Sequence, residues 1–242
     1  MTQRREFLRQ ASLIAAGTLA AGVAEAQSSG QQPVPQGGAA RPPASPLAAV
    51  SASANAQADW DMSWTTRVTG KHRMCFDAPE ISDGVCLHQA RSFLTGYAET
   101  LKLTDADLTA VLVIRHAAIP MVLDDALWAD GAFAEKDELK DPESGKPARR
   151  NPFIRIPAGA RHTSAWPDGA LDTLMSRGVI VLACDLALRN VTGQIARRRD
   201  IPRQDAAELV AQHLLPGVYR MPSGIFATSH AQSLGCGVLH AS

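Results

Sequence analysis

"GVIVLACDLALRN", residues 178–190, is the stretch on which the fold turns. Val179 to Ala183 form an unbroken, largely β-branched apolar run, the pattern of a strand covered on both faces. Cys184 closes it, and a helix-like segment follows at once. A strand running directly into a helix is the repeating step of an α/β domain. It also puts Cys184 where a helix begins. There the backbone N–H groups and the positive end of the helix dipole favour a thiolate, the reactive form of cysteine. Two readings stand side by side: a reactive thiol at a strand tip, or a small apolar residue filling a core. Asp185, directly after it, is a carboxylate that would oppose the thiolate.

Outward from this stretch, strands and helices alternate. "HRMCFD" (72–77) reads as a short strand, 83–103 as a helix by its apolar spacing, and 107–118 as a buried strand through its Val/Leu/Ile run. "IPMVLDDALWADGAF" (119–133) reads as a helix with Pro120 in its first turn. "GALDTLMSRG" (169–178) reads as a helix stopped by Gly178. After the third strand come a helix over "RQDAAELVAQHLL", a strand over "GVYRM", a helix over "PSGIFATSHAQSLG" and a last strand over "CGVLHA". The expected fold is an α/β domain with a mainly parallel, roughly five-stranded sheet. In "PSGIF", Ser223 is a natural N-cap, and the same turn offers free N–H groups to an anion.

The alternation breaks over an insertion at about 131–168, which is Pro-rich and mixed in charge. So long a loop is commonly functional or oligomeric; a disordered insertion is the alternative. Trp60 and Trp64, in "DWDMSW", are expected to pack the preceding linker onto the domain.

Histidines supply the second constellation. His116, in "VIRHAAIP", closes the second strand and so shares the carboxyl edge with Cys184, where open α/β sheets place ligands. It is the candidate proton partner of the thiol. Arg115 precedes it, and the two must diverge. His72, His88, His162 and His230 show no i, i+4 metal pairing, and His72 and Cys75 fall on opposite faces of one strand. The four cysteines, Cys75, Cys86, Cys184 and Cys236, form neither a CxxC pair nor a disulfide framework. A Cys184/His116 site for a soft metal or cofactor stays open, and no cofactor is identified. The nucleotide-binding, zinc-protease and nucleophile-elbow signatures GxGxxG, GxxxxGK[ST], HExxH and GxSxG are all absent from the sequence.

The front of the chain indicates the compartment. Residues 1–26 carry Arg4-Arg5 with Phe7 and Leu8, a short Ala/Gly-rich apolar stretch and the small-x-small site Ala24-Glu25-Ala26. This is the pattern of a twin-arginine (Tat) export signal, so a periplasmic location is expected. Residues 27–58, rich in Pro, Gly, Ser, Gln and Ala, read as a disordered linker. The domain proper spans 59–242, enough for one full core. The chain holds 24 basic and 24 acidic residues, and loss of three arginines and two glutamates with the signal leaves 21 against 22. Such neutrality argues against nonspecific nucleic-acid binding. "ARRRD" (196–200) is a local basic run, read as a solvated face or partner contact. No membrane span is expected after the signal.

"GVIVLACDLALRN" and "LLPGVYRMPSGIFATSHAQSLGCGVLH" together resemble the DsrE/DsrF-like family. They present a hydrophobic strand ending in Cys, a Leu-Pro-Gly-Val strand, a Pro-Ser-Gly helix start and a Gln-x-x-Gly turn into the final strand. The resemblance implies a three-layer α/β domain, a homo-oligomer, and a persulfide on the strand-end cysteine during sulfur relay, a role that falls to Cys184. The expectation is thiol or sulfur chemistry on a small-molecule sulfur ligand. The alternative is a non-catalytic oligomeric module that binds a small ligand or a protein.

Overall fold

The structure is a computed structural model and describes residues 60–129, 132–159 and 166–241. The export signal and linker read at 1–58 lie outside the described residues. Five strands form one sheet in the order β4-β3-β2-β1-β5, and every pairing is parallel. The strands are β1 His72–Ala78, β2 Leu108–Ile114, β3 Ile180–Cys184, β4 Tyr219–Met221 and β5 Gly237–His240. All residues of β2 and β3 are buried, as their uninterrupted apolar runs require of strands covered on both faces.

The chain steps one strand at a time from β1 to β4. The helices made on that walk lie on one face: α1 (Val85–Leu101), α4 (Leu171–Ser176), α5 (Asp185–Arg199) and α6 (Arg203–Gln212). They pack on Leu108, Ala110, Leu112 and Ile114 of β2 and on Val181 and Ala183 of β3. After β4 the chain reverses direction. Right-handed crossovers then require the return helix to use the opposite face. This is α7 (Gly224–Ser233), which packs against all five strands and delivers β5 beside β1. Its Ala227 and Ala231 share the second core with Trp64, Val111, Val113, Ile180 and Leu182. The three-layer α/β/α arrangement is therefore as the sequence indicates.

Two local readings need correction. The single helix expected over 119–133 is instead a 3-10 segment, His116–Val122, followed by two short helices, α2 (Asp125–Trp128) and α3 (Ala132–Asp137). Pro120 cannot donate a helical hydrogen bond, and the Asp124 side chain accepts from the Ala126 N–H, so a new helix starts there. Ile119, Met121, Val122 and Leu123 are all buried, which suits a segment covered on every side rather than an amphipathic helix. His116 is likewise not the end of β2; it lies two residues beyond Ile114 and opens the 3-10 segment.

The insertion is packed where it is described. Phe133, Leu139, Ala148, Phe153, Ile154 and Ile156 are buried with the main core. Trp128 meets the rings of Phe133 and Phe153 edge-on, at 5.4 and 6.3 Å. Asn151, 1% exposed, donates from Nδ2 to the carbonyls of Met121 and Leu123, both at 2.8 Å, and its Oδ1 accepts from the Phe153 N–H at 2.9 Å. A disordered insertion is therefore not what 132–159 forms. Trp64 is fully buried and meets His230 edge-on, so it belongs to the second core.

Candidate functional site

Adjacent strands β3 and β4 send their chains to opposite faces, β3 into α5 and β4 into α7. Such a switch point leaves a crevice outside the carboxyl ends of the strands. A cavity of about 400 Å³ occupies it. Cys184 and His116 both line it, together with Arg115, Lys136, Ser223 and Gly224. Among the described residues, no Asp or Glu lines it.

Cys184 is the last residue of β3 and the N-cap of α5, where its side chain makes no capping hydrogen bond. It is 6% exposed. The thiol thus stands in the cavity wall, at the positive end of a 15-residue helix. A second helix start faces the same space. Ser223 caps α7 by accepting the Phe226 N–H at 3.1 Å, and Ser223, Gly224 and Ile225 border the cavity. The cap reading of "PSGIF" holds, and its N-terminal turn belongs to the site.

Arg115 is fixed from two sides. Its Nε and Nη2 donate to the two oxygens of Asp77, at 2.6 and 2.8 Å, the fork geometry peculiar to arginine. Asp77 lies at the carboxyl end of β1, and the hydroxyl of Thr228 and the ring of His240 also approach it. Burial alone would raise the Asp77 carboxyl, but the hydrogen bonds and charge of Arg115 outweigh it and hold the group below its ordinary value. The Arg115 guanidinium is correspondingly raised, chiefly by the hydrogen bond it donates to Asp77, with Cys184 among the groups acting on it. On the other side, the Arg115 stem passes so close to α7 that a Cβ on Gly224 would lie 2.4 Å from its Cδ and 2.7 Å from its Cβ. Only glycine admits that approach.

His116 diverges from Arg115 as expected. It is exposed and sits at φ +53, in the left-handed region that a non-glycine residue enters at a cost. Arg115 instead turns toward Asp77.

The other cysteines are different in kind. Burial pushes the Cys75 and Cys86 thiols up to about 12 and raises Cys236 as well. All four cysteines are free thiols, and only Cys184 borders this cavity. Asp185, expected to oppose a Cys184 thiolate, turns away from it. It is 2% exposed, and its Oδ2 accepts from Arg189 Nε at 2.7 Å while its Oδ1 accepts from Arg220 Nη2. Its carboxylate is thereby covered by two guanidinium groups in a separate hollow between α5 and α6.

Asp77, Lys136 and Gly224 escape the sequence reading. Asp77 ends the strand expected at 72–77, so the strand-end rule applied to Cys184 and His116 also points to it. Lys136 comes from the insertion, and nothing in its local sequence ties it to β3. Among the described residues, no group of three or more His, Cys, Asp or Glu side chains is placed to hold a metal ion. Cys184 and His116 supply two such donors without a third. No helix among the described residues is long and apolar enough to cross a membrane.

Comparison of the chain with protein-family models, curated proteins and solved structures gives no match.

Proposed function

We propose that the protein handles sulfur on a small molecule at Cys184, as an exported α/β protein of DsrE/DsrF-like type. The observation that carries this is the setting of the thiol. It is the one cysteine in the wall of the switch-point cavity, beside Arg115, His116 and Lys136 and with no carboxylate in the lining. A cysteine so placed can act as a nucleophile, and the cationic lining suits an anionic sulfur compound. The chemistry is a transfer of sulfane sulfur. The Cys184 thiolate attacks the terminal sulfur of a donor R–S–S⁻. The donor S–S bond breaks, R–S⁻ leaves, and Cys184 carries the persulfide Cys–S–S⁻. The transferred atom takes no electrons from outside, so no separate oxidant is needed. His116, exposed at the rim, is the candidate proton partner for the leaving thiolate.

Mass spectrometry of the intact protein after incubation with a persulfide donor tests this. The expected result is a gain of one sulfur atom, reversed by a reductant and absent in Cys184→Ser. An unmodified wild-type mass would overturn the proposal. A binding module without thiol chemistry is the second reading, and the 6% exposure of Cys184 favours it. Under that reading the cavity fills with ligand and the mass never changes.

A further inference from the structure

The Cys184 cavity does not end at the thiol. A second hollow of about 350 Å³ adjoins it, and the two share Ala132, Phe133, Lys136 and Gln194 in their walls. They form one trough, running from β3 and α7 along α5 to its basic end. The trough has three zones. At the inner end are Cys184, Arg115 and the starts of α5 and α7. In the middle, Ile119, Pro120, Phe133 and Val191 offer apolar surface, while Asn190 and Gln194 offer side-chain amides. At the outer end stand Lys136, Arg197 and Arg198.

The charges at the outer end are unequal in their commitments. Arg198 faces the Glu135 carboxylate at 3.3 Å. Lys136 and Arg197 make no ion pair or hydrogen bond among the described residues. Two uncommitted cations on the wall of a hollow that also has apolar walls form a receptor for an anionic group on an organic molecule. Inorganic sulfide or a bare sulfur anion would leave the apolar middle and the outer cations unused. The volumes lie within the range of small-molecule sites and exceed what a few-atom ion fills.

We infer that the trough binds an anionic low-molecular-weight thiol compound of about tripeptide size. Its sulfur lies at Cys184, its body crosses Phe133, and its carboxylate or phosphate meets Lys136 and Arg197. This rests on the reading of Cys184 as the working thiol, but it makes a separate claim about binding. It also gives the insertion a task, because Phe133 and Lys136 both belong to that segment.

The test uses S-methylglutathione, a tripeptide with two carboxylates and a net negative charge near neutral pH, whose capped sulfur cannot react. It is titrated calorimetrically into the full chain carrying Cys184→Ser. Binding is expected, and it should weaken at least tenfold in the added double change Lys136→Gln and Arg197→Gln. It should also weaken with rising salt, as exposed charge pairs do. Lys102→Gln, at the far end of α1, should leave affinity unchanged. No binding, or binding indifferent to Lys136 and Arg197, would overturn the inference. Failure of the thiol reading has a different signature. Wild-type protein is treated with glutathione disulfide, where the Cys184 thiolate would form a mixed disulfide and release one glutathione thiolate. If S-methylglutathione binds as expected but no mixed disulfide forms, the trough stands and the sulfur chemistry falls.

Discussion

Gly224 of α7 and Arg115 beyond β2 are a fitted pair: the glycine has no Cβ because the arginine stem occupies that space, 2.4 Å from where a Cβ would lie. The contact joins the helix on one face of the sheet to the loop that opens the cavity on the other. It holds Arg115 in its two-pronged grip on Asp77.

Gly224→Ala should therefore act at a distance from its own small change. The added methyl meets the Cβ of Arg115 as well as its flexible end, so the stem must shift. Overpacking of this kind costs about 1–3 kcal/mol, read as a lowered urea midpoint. Sulfur uptake by Cys184 should fall along with it. Arg115→Lys, which keeps the stem carbons beside Gly224 but cannot make the forked contact, should lower uptake with a smaller loss of stability. Full uptake in both variants would show that Arg115 has no part in the site.

Asn151 gives a prediction about the insertion alone. It holds two buried carbonyls, those of Met121 and Leu123, just where the chain leaves the 3-10 segment. Asn151→Ala leaves both without a donor, at a cost of about 2–4 kcal/mol. Chemical denaturation should show the loss. A change under about 0.5 kcal/mol, the scale of an ordinary surface substitution, would mean that the insertion is not anchored through Asn151.

The insertion also shows what was hidden in the sequence and why. The five strands and the main helices were legible because their apolar periodicity is continuous, as in β2 and β3. So was the shared edge of Cys184 and His116, since parallel strands bring their ends together. The run 119–133 misled because Ile119, Met121, Val122 and Leu123 are buried on all sides, and periodicity cannot separate that from a helix face. The role of Asp124 as a cap rather than an interior residue depends on where a helix restarts, which Pro120 shifts. Asp185 misled for another reason. Adjacency in sequence places it next to Cys184, yet Arg189 and Arg220 draw its carboxylate to the opposite side. Arg220 arrives from β4, so only the tertiary fold shows it.

Acid should loosen the insertion through Asp141. Burial would raise this carboxyl, but Arg150, with Nε 2.6 Å from Oδ2, and the N–H and hydroxyl of Ser144 hold it down at about 2. An unfolded aspartate titrates near 3.9, at about the ordinary value. The folded state thus gains stability that is fully present above about pH 4 and is lost as the pH falls toward about 2. Because Arg150 is partly exposed, solvent screening limits the gain to about 1 kcal/mol. Urea midpoints of wild type should drop more steeply between pH 4 and pH 2 than those of Asp141→Asn. Parallel slopes would remove Asp141 from the acid response.

The four thiols should separate by reactivity in the native protein. Cys75 and Cys86 are buried, with thiols pushed up to about 12, so they stay protonated near neutral pH and shielded from reagent. Cys236 is buried and raised in the same direction. Cys184 is also largely covered, but it lines the cavity and caps α5. Only the thiolate attacks iodoacetamide, and only an open approach lets the reagent in. Native labelling followed by peptide mapping should therefore modify Cys184 first, with the other three reacting only in denaturant. Cys184→Ser should remove the native signal and leave the melting temperature nearly unchanged, since serine keeps the size of the side chain and can serve as an N-cap. Lys136→Gln should slow the labelling modestly, because it removes a positive charge from the cavity wall. A Cys184 that reacts no faster than Cys75 would be a core residue in chemical terms. The cavity would then be a binding site whose wall happens to include a sulfur atom.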